Sequence, residues 1–114
     1  MRRDEAYLLD ILIAARKALQ FTSGVSKEEF EENEVIQNAV MYSLQIMGEA
    51  AARVSKDTRR VHPEINWLQM VGLRNRIVHE YFRIDYGTIW DTIHNDLPHL
   101  VELIEPLIPP ESEI

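Results

Sequence analysis

Glu34-Val35-Ile36-Gln37-Asn38-Ala39-Val40-Met41-Tyr42-Ser43-Leu44-Gln45-Ile46-Met47-Gly48-Glu49-Ala50-Ala51-Ala52-Arg53-Val54 is the stretch that decides the fold. Ile36, Val40, Met47, Ala51 and Val54 recur at spacings of three, four and seven residues, and Ala39, Ile46 and Ala50 widen the stripe. That is the period of a helix with one buried face, and Asn33 is placed to cap its first turn. Gly48 interrupts the run. Glycine inside a helix costs about 1 kcal/mol relative to alanine, so a close approach by another helix or a second protomer is expected there.

The same period extends outward in both directions. A first helix over about residues 4 to 20 carries Leu8, Ile11, Leu12, Ala15 and Leu19, and Thr22-Ser23-Gly24 ends it with a residue suited to left-handed backbone. Ser26-Lys27-Glu28-Glu29 is a capping box for a short helix that buries Phe30. Downstream, residues 59 to 63 form a connection. Pro63 and Asn66 then introduce a third long helix from Trp67 to about Val78. Asp85 caps the last helix, whose stripe is Ile89, Trp90, Ile93, Leu97, Leu100, Val101, Ile104 and Leu107. The stripe stays in phase across Pro98, which predicts a kink rather than a break. Pro109-Pro110 ends the ordered chain, leaving an acidic tail that frays. No segment alternates as a strand. The expected fold is all-α, an antiparallel up-and-down bundle of four main helices plus one short one, forming a single domain over residues 1–114.

Composition narrows the chemistry. Hydrophobic residues make up 46% of 114, enough for one core, and no apolar run approaches the roughly 20 residues needed to cross a bilayer. Met41, Met47 and Met70 read as core fillers, and Trp67 and Trp90 as anchors of the core or of a dimer interface. With no cysteine, disulfides, thiol catalysis and thiolate metal sites are excluded. The opening Met1-Arg2-Arg3-Asp4-Glu5 turns acidic at once, unlike a secretory signal, so a cytoplasmic location is expected. His94 and His99, with Asp91 and Asp96, are poorly spaced for one helical face; no metal site and no cofactor are expected. Net charge is −7, with Glu28, Glu29, Glu31, Glu32 and Glu34 concentrated early. Arg53, Lys56, Arg59, Arg60, Arg74, Arg76 and Arg83 lie in the middle of the chain and could form a local basic patch.

The densest chemistry is Arg74-Asn75-Arg76-Ile77-Val78-His79-Glu80-Tyr81. A guanidinium clamps phosphate oxygens with a planar fork of donors, and an imidazole moves protons near neutrality. Together they suit cleavage of RNA, whose 2′-hydroxyl is a built-in nucleophile. His79 would transfer the proton and Arg74 would stabilise developing charge, with Asn75 and Arg76 in support. On an ideal helix, residues five apart point about 140° from each other. Arg74 and His79 therefore need a helix that ends or distorts near His79, or a second chain. A structural alternative is that the pair only caps carbonyls at a helix end and interacts with the helix dipole.

Arg74-x4-His79-x-Tyr81 resembles the active-site motif of HEPN-domain ribonucleases, specifically the HepT toxins paired with MNT nucleotidyltransferase antitoxins. Met47-Gly48-Glu49-Ala50-Ala51-Ala52-Arg53-Val54-Ser55 is similar to the Gly-Glu-Ala segment of that family's second helix. His62-Pro63-Glu64-Ile65-Asn66-Trp67 is similar to its Pro-x-Ile-x-Trp connection. Asp85, Trp90 and Asp96-Leu97-Pro98 follow in the family's order, so the likeness covers roughly residues 36 to 108.

The resemblance implies a homodimer in which two motifs converge in one cleft. It further implies the toxin of a type VII toxin–antitoxin module, a metal-independent endoribonuclease with tRNA as the expected substrate class, and no DNA or membrane partner. Arg74 and His79 become the catalytic residues, and Tyr81 the tyrosine adenylylated by the MNT partner to silence the enzyme; the alternative for Tyr81 is an amphipathic aromatic at a bundle edge with its hydroxyl in water. The competing expectation is a non-catalytic helical module that positions substrate for that nucleotidyltransferase, towards which the acidic net charge leans.

Overall fold

The computed structural model describes residues 2–110, so the expectation of a frayed acidic tail beyond Pro110 lies largely outside the described residues. Within them the protein is helical: α1 (Arg2–Phe21), α2 (Lys27–Glu32), α3 (Glu34–Arg53), α4 (Lys56–Val61), α5 (Trp67–His79) and α6 (Tyr86–Ile104). Single 3-10 turns follow α5, at Tyr81–Arg83, and α6, at Glu105–Leu107. The four long helices, α1, α3, α5 and α6, are those expected from periodicity.

Local signals act where the sequence put them. Gly24 takes φ +74, the left-handed conformation that lets the chain turn out of α1. Both halves of the capping box at Ser26 and Glu29 are formed. Asn33 Oδ1 accepts from the Ile36 amide at 3.0 Å, and Asn66 Oδ1 from that of Gln69 at 3.0 Å. Asp85 accepts from Gly87 and Thr88 at the start of α6, which runs through Pro98 as one helix.

The short helix α4 was not expected, and it begins before the segment read as connection at residues 59 to 63. It buries none of its residues, so it has no apolar period to reveal it. Its origin is capping. Ser55 Oγ accepts from the Thr58 amide at 3.2 Å, and the Asp4 carboxylate from α1 accepts from the Ser55 amide at 3.0 Å, Ser55 Oγ at 2.6 Å and Thr58 Oγ1 at 2.5 Å. Burial pushes the Asp4 carboxyl up, but these hydrogen bonds from Ser55 and Thr58 outweigh it and hold the group below its ordinary value.

The core is one cluster. Phe30, Ile11, Met41, Leu44, Met47, Ile77, Ile89, Ile93 and Ile104 are all but sealed from solvent. Met70 is buried as well, so the three methionines expected to fill the interior do so. Trp67 is buried and donates its indole N–H to the His62 carbonyl at 3.0 Å, fixing the entry to α5. Trp90 is half-buried against Phe30, at 5.6 Å between ring centroids. Helix α3 packs on α1 along one side and on α5 along the other, while α6 covers α1 and α2 lies across α6. The motif-bearing helix α5 is thus carried mainly by α3.

Candidate active site

Helix α5 bears the motif on its last turns. Leu73 and Ile77 face the core, which fixes the rotation of the helix and turns Asn75, Arg76 and His79 to solvent. Arg74 lies at the boundary, half-buried on the side that meets α3. The close approach expected at Gly48 occurs here, and its occupant is α5 of the same chain. A Cβ on Gly48 would overlap Arg74 Cβ and stand 2.6 Å from the Met70 carbonyl oxygen. Gly48 is therefore a notch that receives the Arg74 stem.

Within that notch the guanidinium is partly committed. Arg74 Nη1 donates to Asn75 Oδ1 at 3.1 Å, while Nε is buried with no acceptor among the described residues. His79 is the final residue of α5, exposed and without a hydrogen-bond partner among the described residues. The last amide bond of the helix is made by the backbone, Glu80 N–H to the Arg76 carbonyl at 2.8 Å. Among the described residues neither motif side chain caps a carbonyl, so that half of the structural alternative fails, while His79 in the last turn of α5 still suits the helix dipole.

The helix is regular from Arg74 to His79 and stops there, with Glu80 leaving at φ −129 and ψ 32. The two side chains consequently project about 140° apart within one chain. Among the described residues no hydrogen bond joins the guanidinium to the imidazole within one protomer, and Asn75 is hydrogen-bonded to Arg74 rather than to His79.

Tyr81 opens the 3-10 turn after α5 and is about a third exposed, at 36%. Its hydroxyl donates to Asn38 Oδ1 on α3. Its ring meets Phe82 edge-on at 5.4 Å, and Phe82 itself is 96% exposed. Tyr86 stands close by; burial, with Tyr81 and Glu34 as neighbours, pushes its phenol up and keeps it neutral. Asn38 escaped the sequence reading because nothing local links it to a tyrosine 43 residues away.

The cations foreseen as a patch divide into two groups. Arg59 donates to the Ala51 carbonyl at 2.8 Å and to that of Val54 at 3.2 Å, so it caps α3, and Arg60 pairs with Asp57. Arg76 and Arg83 are exposed beside the motif and form no ion pair among the described residues. Arg53 and Lys56, at the end of α3 and the start of α4, are likewise exposed and form no ion pair among the described residues, so the free cations of the foreseen patch lie at two places, one of them the end of α5.

A family model described as "Ribonuclease HepT-like" matches residues 11–107, nearly the whole of the chain. The chain belongs to the HepT-like ribonuclease family. Among curated relatives, "Putative RNase MJ1380" of Methanocaldococcus jannaschii is 39% identical over 105 residues, covering 91% of this chain and 96% of that protein. "Probable ribonuclease HepT" of Thermococcus cleftensis is 36% identical over 106 residues, covering 93% and 96%. No solved structure matches the chain significantly. The family is one of ribonucleases, and the all-helical bundle agrees with the fold that the HEPN resemblance implied. No helix among the described residues is long and apolar enough to cross a membrane.

Proposed function

We propose that the protein is the toxin of a HepT/MNT module, a metal-independent endoribonuclease active as a homodimer. The observation that carries this reading is that, among the described residues, the fold makes no use of the His79 side chain and uses Arg74 through its stem rather than its charge: neither caps the helix they sit on, and His79 is exposed without a hydrogen-bond partner. The imidazole is free for substrate, and the guanidinium, bonded only to Asn75 among the described residues, keeps donors for it. Their divergence on a regular helix further supports a site completed across a two-fold axis, where Arg74 of one protomer faces His79 of its partner. Val78, Tyr81 and Phe82, exposed apolar surface beside the motif, are suited to line such a contact.

In this mechanism the 2′-hydroxyl attacks the adjacent phosphorus, giving a 2′,3′-cyclic phosphate and a free 5′-hydroxyl. His79 takes the 2′ proton or returns one to the leaving 5′-oxygen, and two copies allow both roles. Arg74 balances charge growing on the non-bridging oxygens. Asn75 steadies the guanidinium and has its amide N–H groups left for phosphate; Arg76 and Arg83 hold flanking backbone. The proposed substrate class is tRNA. Tyr81 is the proposed site of adenylylation by the nucleotidyltransferase antitoxin, where bulk and negative charge would stand beside the RNA path.

The test is incubation of the pure protein with total RNA and mapping of fragment ends, beside His79→Ala and a substrate lacking the scissile 2′-hydroxyl. Ends bearing cyclic phosphate, lost with either change, support the mechanism. The acidic net charge of −7 favours the second reading, a non-catalytic subunit of the nucleotidyltransferase; an inactive pure chain that still binds that partner would establish it instead.

A further inference from the structure

The turn that follows His79 is held to the rest of the molecule by little. Phe82 is almost fully exposed, and Arg83 makes no side-chain hydrogen bond among the described residues. The turn closes on itself through Arg83 N–H to the Glu80 carbonyl at 2.8 Å. Downstream, Ile84 packs on the core and Asp85 caps α6, so the chain is anchored again only there. Between α5 and that anchor, the sole side-chain hydrogen bond to another element among the described residues is Tyr81 hydroxyl to Asn38 Oδ1.

From this geometry we infer that Asn38 is a positioning residue of the ribonuclease site: its tether to Tyr81 holds the turn at residues 80–83 against α3 and thereby sets His79 at the helix end. The inference rests on the proposed roles of His79 and Tyr81 and extends them. Asn38 acts through the phenol and does not touch substrate. A helix terminus frays when nothing beyond it is fixed, and a general acid or base works only when its ring is held near one orientation.

The bond also supplies a second route to silencing. In adenylylation the phenolic oxygen bonds to the α-phosphorus of a nucleoside triphosphate, pyrophosphate leaves, and the phenolic proton is lost. The resulting ester has no O–H, so it cannot donate to Asn38. Modification therefore removes the tether as well as adding charge and bulk, and the turn carrying His79 is released.

Four variants test this without the partner protein. Asn38→Ala and Tyr81→Phe each delete the bond while adding neither charge nor bulk. Each is expected to lower kcat for RNA cleavage by roughly three- to tenfold, the worth of one hydrogen bond. The double variant should be no slower than the slower single one, because both remove the same interaction. Asn38→Asp keeps an acceptor in place and should restore kcat, with any loss confined to KM. Hydrogen exchange provides a readout apart from activity: the Glu80 and Arg83 amides should exchange faster in Asn38→Ala and Tyr81→Phe.

Two singles that cleave at the wild-type rate, with unaltered exchange at those amides, overturn the inference while leaving the ribonuclease reading intact. Additive losses in the double variant overturn it as well. Wild-type protein that fails to cut RNA would instead overturn the site reading, and the positioning role with it.

Discussion

At the level of single residues, what separates a catalytic histidine from a capping one is the company it keeps. His79 ends a helix whose last amide bond is already made by the backbone, so its removal should hardly disturb the fold. His79→Ala is expected to lower cleavage by about 10²–10⁴-fold, the range for a lost general acid or base, with stability within about 0.5 kcal/mol of wild type. Rates on a defined RNA, with urea unfolding of the same preparations, check both halves. Retention of the wild-type rate would remove His79 from the mechanism. Arg74 differs because its stem lies in the Gly48 notch. Arg74→Lys keeps the charge and much of the stem but loses the planar fork, so activity should still fall by more than tenfold. Tyr81 is decided by mass: protein coexpressed with the nucleotidyltransferase should gain adenylyl groups that Tyr81→Phe does not.

Two contacts between helices carry most of what can be predicted at the level of elements. The first is the notch. Gly48→Ala gains about 1 kcal/mol of helix propensity. Against that, the new methyl group overlaps Arg74 Cβ and lies 2.6 Å from the Met70 carbonyl oxygen, which belongs to backbone and cannot step aside. Overpacking of this kind costs about 1–3 kcal/mol, so the net change should be destabilising. Because the atom displaced is the root of Arg74, cleavage should fall further than stability alone explains. A more stable Gly48→Ala protein with full activity would sink the notch argument. The second contact is the Asp4 clamp on Ser55 and Thr58. Its carboxyl is held below the ordinary value in the fold, so its contribution is complete above the unfolded pKa and is lost as pH falls through the folded one. Asp4→Asn should cost about 1–2 kcal/mol at neutral pH. The gap from wild type should close on acidification below the ordinary carboxylate pKa of about 3.9, measured by denaturant unfolding across pH.

For the whole molecule the question is whether one chain suffices. Arg74 and His79 diverge by about 140° on a regular helix, so a composite site predicts complementation. Mixing Arg74→Ala with His79→Ala protein, each inactive alone, should yield heterodimers in which one of the two sites is intact. Activity should recover to a fraction of wild type after subunit exchange, and light scattering should report a dimer. A mixture that stays inactive while heterodimers form would show that each site draws both groups from one chain. The acidic body is compatible with RNA because cations free of ion pairs among the described residues remain exposed beside the motif, as they do at Arg53 and Lys56. Arg59 and Arg60 are occupied by the α3 terminus and Asp57, and Arg76 and Arg83 remain beside the motif.

The amino-acid order by itself determined the four long helices, their caps and the core, because each of these rests on interactions within a few residues or on a period of 3.6. It likewise determined the motif, whose groups are neighbours in the chain. Helix α4 was hidden because its cap is completed by Asp4, 51 residues before Ser55, and because it buries nothing. The partner of Tyr81 was hidden for the same reason, since Asn38 is an ordinary exposed position until α3 and α5 are packed side by side. Sequence could say that Gly48 must admit something; only the packed helices showed that it admits Arg74. Local bonding and periodicity are written along the chain, whereas the meeting of distant side chains depends on how helices rotate about their axes to bury apolar stripes, and that is settled by the fold as a whole.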